Sequence, residues 1–224
     1  MQLVYYLPII TTITAVFFSW EVANRYRQRQ GLHLLWWSIG IVCFGLGTLI
    51  ESCVTLFGWH TSLFRLWYIA GALLGAAPLA QGTVYLLLNK KIAHTLAVFL
   101  SLFVVVASTY VFLTPLDPSL SNNGQLTGKV IVWKKVRYFS IFLNVYAVFF
   151  LGGGALLSAW RFYKKGREHY HRFVGNALIT VGTFCAAAGG ASARMGHTEI
   201  LYIAELIALV IIYLGYRVNI KQVK

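Results

Sequence analysis

Seven stretches of this chain are apolar for long enough to cross a lipid bilayer. They run over residues 2–20, 33–57, 63–88, 93–114, 137–160, 173–195 and 199–217. Such runs meet the roughly 18 apolar residues that mark a spanning helix. The connections are short except for 115–136, where Pro115, Pro118, Asn122, Asn123 and Gly124 supply turn and loop chemistry. The pattern predicts an all-α integral membrane bundle of seven transmembrane helices, built as one domain over residues 1–224. The first 19 residues have no basic segment before them and no small-residue cleavage site after them, since Trp20 and Glu21 follow. A retained first helix is expected rather than a signal peptide.

Composition agrees with this reading. Hydrophobic residues make up 58% of the 224 and charged residues only 11%, against about 25% charged in a soluble domain. The formal net charge of +13 does not point to nucleic acid, because the basic residues sit in the connections between spans. Thirteen lysines and arginines fall on one side of the bundle: Arg25, Arg27, Arg29, Lys90, Lys91, Arg161, Lys164, Lys165, Arg167, Arg172, Arg217, Lys221 and Lys224. The other side holds six: Arg65, Lys129, Lys134, Lys135, Arg137 and Arg194. The positive-inside rule puts the thirteen in the cytoplasm. The C-terminus is then cytoplasmic, the N-terminus is outside, and the cell membrane is the expected location. Trp20, Trp36, Trp37 and Trp160 fall near one boundary and Trp59, Trp67 and Trp133 near the other, as interfacial anchors do. Cys43, Cys53 and Cys185 lie inside apolar spans without CxxC spacing and read as small core residues.

The chain also carries an internal echo. Ala15-Val16-Phe17-Phe18 recurs as Ala147-Val148-Phe149-Phe150, and Gly47-Thr48 as Gly182-Thr183. Gly58-Trp59-His60-Thr61 is echoed by Gly196-His197-Thr198, and Tyr68-Ile69-Ala70-Gly71 by Tyr202-Ile203-Ala204-Glu205. The matches are collinear. They predict a 3+1+3 duplication, with parallel halves 1–88 and 137–217 joined by the helix 93–114. In layout, orientation and size this resembles sugar transporters of the SWEET kind, which are built from parallel three-helix repeats. That family's Pro-Gln signature is missing, because Pro78 and Gln81 are not adjacent. Microbial rhodopsins share the seven-helix layout, but the seventh span has no lysine before Lys221 to carry retinal.

Charges inside the spans are the candidate chemistry. Glu51 lies about six residues from the outer end of the second span, roughly 9 Å below the boundary at 1.5 Å per residue. Glu205 lies at similar depth in the seventh span, while Arg65 begins the third and Arg194 ends the sixth. Ionisable groups at such depth face the bundle interior or a water-filled cavity. The expected arrangement pairs each glutamate with an arginine around a polar pocket open to the outside, or as a purely structural lock. Thr48 and Thr55 share the face of Glu51, Tyr68 shares that of Arg65, and Tyr202 lies three residues before Glu205. The candidate ligand-binding set is Glu51, Arg65, Tyr68, Arg194, Tyr202 and Glu205. Gln81 reads as a pathway residue or an interhelical hydrogen bond. Gly71 and Gly75, Gly152 to Gly154, and the small residues Ala186 to Ala193 read as close helix contacts, with a bend at mid-span as the alternative.

No catalytic residue is assigned, since no hydrolase triad, HExxH, phosphate loop or dinucleotide fingerprint occurs in a fitting context. His60, His197 and Glu199 are too scattered to make a zinc signature. No metal is assigned, and the sequence names no cofactor. The function expected is binding and translocation of a small polar or charged solute or ion. The alternative is a receptor or signalling subunit that senses an extracellular or membrane ligand through a cytoplasmic partner protein; a membrane enzyme is the third reading. The lipid bilayer is the expected partner, and association with a second copy is left open.

Overall fold

The computed structural model describes residues 3–121 and 126–220. Asn122, Asn123 and Gly124 of the long connection and Lys221 and Lys224 of the tail lie outside the described residues. The chain is 88% helical, and no strand occurs among the described residues. Seven helices are long and apolar enough to cross a membrane: α1 (Leu3–Arg29), α2 (Leu32–Phe57), α3 (Thr61–Leu87), α4 (Lys90–Leu113), α5 (Val136–Lys164), α6 (Arg167–Met195) and α7 (Thr198–Ile220). They coincide with the seven apolar stretches. The largest difference is at α1, which continues through the polar run to Arg29. Glu21, Val22, Ala23 and Arg25 to Arg29 carry no helix breaker, so the helix ends only at Gln30. There φ is 52°, and the Gln30 N–H closes on the carbonyl of Tyr26. The extension is held by Arg217 of α7, whose Nη1 lies 3.0 Å from Glu21 Oε2, and by the Tyr213 hydroxyl, which donates to the same oxygen at 2.8 Å.

In lipid, burying apolar surface does not drive helices together; close packing and polar links do. The sequence supplies glycines where the helices approach. Along α2 and α3, Gly40 faces Leu79, Gly47 faces the backbone of Gly71, and Gly82 faces the Trp37 indole. Along α6 and α7, Gly182 meets Ile212 and Ala208, Gly189 meets Ala204, and Gly215 meets the carbonyl of Gly175. Neighbours in sequence are neighbours in space, and α7 closes onto α1; α3 touches α2, α4 and α5. Away from these contacts, α4 presents Val98, Leu102, Val105 and Val106 outward at helical spacing. Such a stripe suits hydrocarbon and not water.

Two helices are not regular. α3 is an α-helix over Thr61–Trp67 and a π-helix over Tyr68–Leu73; it breaks at 74–76 and resumes at Ala77–Leu87. Pro78 has no N–H to offer the carbonyl of Leu74, which explains the break. α5 passes through a π segment, Val148–Gly153, before resuming at Gly154. The close helix contact expected for the Gly152–Gly154 run is present. The helix winding changes there, while Gly152 packs on Thr183 of α6 and Gly154 on Thr83 and Leu87 of α3. Gly71 makes a close contact as expected, whereas Gly75 sits at the break, its N–H on the Gly71 carbonyl at 3.1 Å. At the end of the bundle where α1 begins, here called the N-terminal face, Leu126, Val130 and Ile131 of the long connection are buried against α3, α4 and α5.

Candidate functional site

α1 packs against both α2 and α7, and Glu205 of α7 reaches Glu51 of α2. On α2, one turn separates Thr48, Glu51 and Thr55, so all three face the same seam. Thr48 shares a hydrogen bond with Thr12 of α1 at 2.9 Å, and the Thr55 hydroxyl donates to the Tyr5 carbonyl at 3.0 Å. These links hold α1 against α2 above and below Glu51. Glu51 is 1% exposed. Its Oε1 accepts the indole N–H of Trp67 at 2.8 Å, and its buried Oε2 receives no donor from any other described residue except the facing Glu205 carboxyl.

Glu205 of α7 brings its carboxyl group against that of Glu51. Its Oε2 is also buried, and no other described residue donates to it. Tyr202, one turn earlier on α7, is buried beside both carboxyl groups. Its ring stands edge-on to that of Tyr5, with centroids 6.1 Å apart, and the Tyr5 hydroxyl donates to Glu199 Oε1 at 2.6 Å. Three of the chain's six acidic residues are thus gathered at one seam. Two facing carboxylates in a low-dielectric interior repel strongly. Charge balance between Glu51 and Glu205 requires either a proton held between them or a cation from outside the protein.

The expected pairing of each glutamate with an arginine is not formed. Among the described residues the single salt bridge is Arg217–Glu21, at the opposite end of the bundle. Arg65 donates instead to the carbonyl of Thr114 at 3.3 Å, where α4 ends. The reason is helical phase: residues two apart do not share a face. Once Trp67 turns toward Glu51, Arg65 must turn away toward α4. Arg194 lies exposed in the last turn of α6. Tyr68 is buried, donates to Ser140 of α5 at 3.2 Å, and feels the charges of Arg137 and Arg194. The six candidate residues therefore divide. Glu51, Tyr202 and Glu205 come together; Arg65, Tyr68 and Arg194 belong to a neighbouring region. Sequence reasoning missed Tyr5, Thr12 and Trp67. The sequence places Trp67 as a boundary anchor, and nothing in its spacing reveals its bond to Glu51.

Other candidates are structural. His60 accepts the N–H of Ser62 at 3.3 Å and caps the start of α3. No group of three His, Cys, Asp or Glu side chains converges among the described residues. Gln81 is fully buried, donates to the Ala93 carbonyl at 2.9 Å and accepts from the Tyr146 hydroxyl at 2.5 Å. It links α3, α4 and α5 with both ends of its amide in use. Gln81→Leu is expected to lower stability by about 1–2 kcal/mol for the two lost interhelical bonds, while leaving any solute uptake intact. Thermal unfolding in detergent and an uptake assay on the same preparation check both halves. Compared with protein-family models, curated proteins and solved structures, the chain matches none of them.

Proposed function

We propose that this multi-pass protein binds a small positively charged solute between Glu51 and Glu205 and carries it across the bilayer. One observation carries the reading: two buried carboxyl groups face each other, and among the described residues the Oε2 of each has no donor from any other residue and no basic side chain forms a salt bridge with either. A permanent internal salt bridge would have no use for a ligand; this pair can exchange its shared proton for one. The break in α3 supports movement rather than static binding. Gly71, in the π segment, packs on Gly47 of α2, one turn from Glu51. A discontinuous helix beside an ion site is how several transporter architectures let one half rock on the other. The distribution of thirteen and six basic residues favours a site near the outer face, with the N-terminus outside. The collinear echoes between 1–88 and 137–217 favour two parallel halves about helix α4. At repeat-equivalent positions stand Gly71 and Glu205, and both meet α2, at Gly47 and at Glu51.

The test is flux through the purified protein in liposomes of neutral lipid, with radiolabelled methylamine as the cationic probe. Time-dependent, saturable accumulation above the passive entry of the free base into empty liposomes is the expected result. Binding of methylamine without flux would overturn translocation and turn the site into a receptor's. Neither binding nor flux of methylamine, ammonium or sodium would overturn the cation reading altogether.

A further inference from the structure

Where α4 ends and α5 begins, the N-terminal face carries a groove of about 500 Å³. It is lined by Tyr110 of α4, by Val136 and Phe139 of α5, and by Trp133, Lys134 and Lys135 of the long connection. Its rim is held by backbone. The Trp133 N–H donates to Thr114 Oγ1 at 3.3 Å and the Val132 N–H to the Pro115 carbonyl at 3.2 Å, which ties the connection to the end of α4. The carbonyls of Trp133, Lys134 and Lys135 accept the N–H groups of Val136, Arg137 and Tyr138, and α5 starts there. Both lysines are exposed, and neither forms a salt bridge among the described residues.

Below the rim the lining turns aromatic and continues into the membrane span. Phe99, Phe103 and Tyr110 share a face of α4. The Phe139 ring stands 5.5 Å from both Tyr110 and Phe103, and Phe142 stands 4.7 Å from Phe103, between centroids. Phe99 extends the row, 6.1 Å from Phe103. Phe99, Tyr110 and Phe142 are each about half exposed. At 1.5 Å per residue, Phe99 lies about 20 Å down α4 from Leu113. The row therefore spans one leaflet of a hydrocarbon core about 30 Å thick.

A boundary tryptophan alone is an anchor. Here two cations without a counter-charge stand at the water end of a concavity, and a row of rings leads from its other end into the lipid. That is the polarity of an amphiphile with an anionic head. We infer that the groove binds an anionic phospholipid of the leaflet on the N-terminal face. Its phosphate lies on Lys134 and Lys135, and an acyl chain lies along Tyr110, Phe139 and Phe103. Lysine meets a phosphate as a point charge, so two flexible exposed side chains suffice. The site uses no residue of the Glu51–Glu205 seam and is independent of the cation reading.

The experiment is photolabelling of the purified protein in phosphatidylcholine nanodiscs. One preparation contains a trace of phosphatidylglycerol with a diazirine on an acyl chain, the other a trace of phosphatidylcholine with the same group. Labelled peptides are mapped by mass spectrometry. The phosphatidylglycerol probe is expected to label residues 99–113 and 133–142 at least tenfold more than the phosphatidylcholine probe does. Lys134→Gln combined with Lys135→Gln should remove that preference, because each lysine near the surface attracts anionic lipid. Both side chains are exposed, so the change spares the packing, and label on the opposite face at 160–172 should stay as in the parent. Equal labelling by the two probes would show ordinary surrounding lipid and overturn the inference. So would a preference that survives the double substitution. Displacement of the label by oleate but not by unlabelled phosphatidylglycerol would assign the groove to a free fatty acid and overturn it as well.

Discussion

Glu51→Gln is expected to cut uptake of a positively charged probe at least tenfold, and Glu205→Gln to do the same, while both variants purify and unfold like the parent. Glutamine keeps the shape of glutamate and keeps an oxygen for the Trp67 N–H, so the link from α2 to α3 survives. What is lost is charge. An ion pair at about 4 Å is worth about 4 kcal/mol at an effective dielectric near 20, and each 1.4 kcal/mol is about tenfold in affinity. A tenfold loss is therefore a low floor. The choice of glutamine matters. Glu51→Ala would leave the Trp67 N–H unsatisfied in the interior, at about 1–3 kcal/mol, and would confuse folding with function. Uptake by both glutamine variants at the parental rate would show that the carboxyl pair only bonds α2 to α7. Loss of folded protein from either variant would show the same.

The seven helices were legible because length and hydropathy need no tertiary information. A bilayer fixes how many apolar residues a span needs, and the chain meets that count seven times. The meeting of Glu51, Tyr202 and Glu205 was legible for a related reason. Two glutamates inside apolar spans are expected to face inward, and one turn of helix places Tyr202 with Glu205. The arginines were misread because sequence gives depth along a helix better than it gives direction around it. Arg65 and Glu51 occupy the same slab, yet Arg65 points to Thr114 and Trp67 takes the carboxylate. Direction depends on how each helix is rotated, and in α3 the π segment resets that rotation partway along. Pro78 and the nearby glycines announce a disturbance in α3, but nothing in the sequence distinguishes a π turn from a simple kink. The Tyr5–Glu199 bond joins residues 194 apart in the chain and follows only from closure of α7 onto α1.

Glycine patterns carry the same lesson, and they lead to a second large effect. By spacing, Gly71 and Gly75 are the pair in α3 that marks a helix contact. By geometry, the position that tolerates nothing is Gly82. A Cβ there would stand 2.1 Å from Cδ1 of Trp37 and 2.8 Å from the carbonyl oxygen of His33. Trp37 is 7% exposed and lies against Tyr216 of α7, with ring centroids 6.1 Å apart, so the indole has little room to swing away. The His33 carbonyl belongs to the first turn of α2 and moves only with that helix. Gly82→Ala is accordingly expected to destabilise by about 1–3 kcal/mol or more, the cost of overpacking that forces a backbone shift. Alanine's better helix propensity, about 1 kcal/mol over glycine, offsets only part of it. Gly71→Ala is the control on the same helix. Its Cβ would find nothing nearer than 3.6 Å, an ordinary contact, so that change should be neutral or slightly stabilising. Thermal unfolding of the three proteins in one detergent decides the order. Trp37→Leu in the Gly82→Ala background should restore part of the loss, because it removes the atoms that clash. If Gly82→Ala is as stable as the parent, or Trp37→Leu gives no rescue, then α2 and α3 do not cross as closely as this contact requires. The seam that holds Glu51 opposite Glu205 would then lose the packing that positions it.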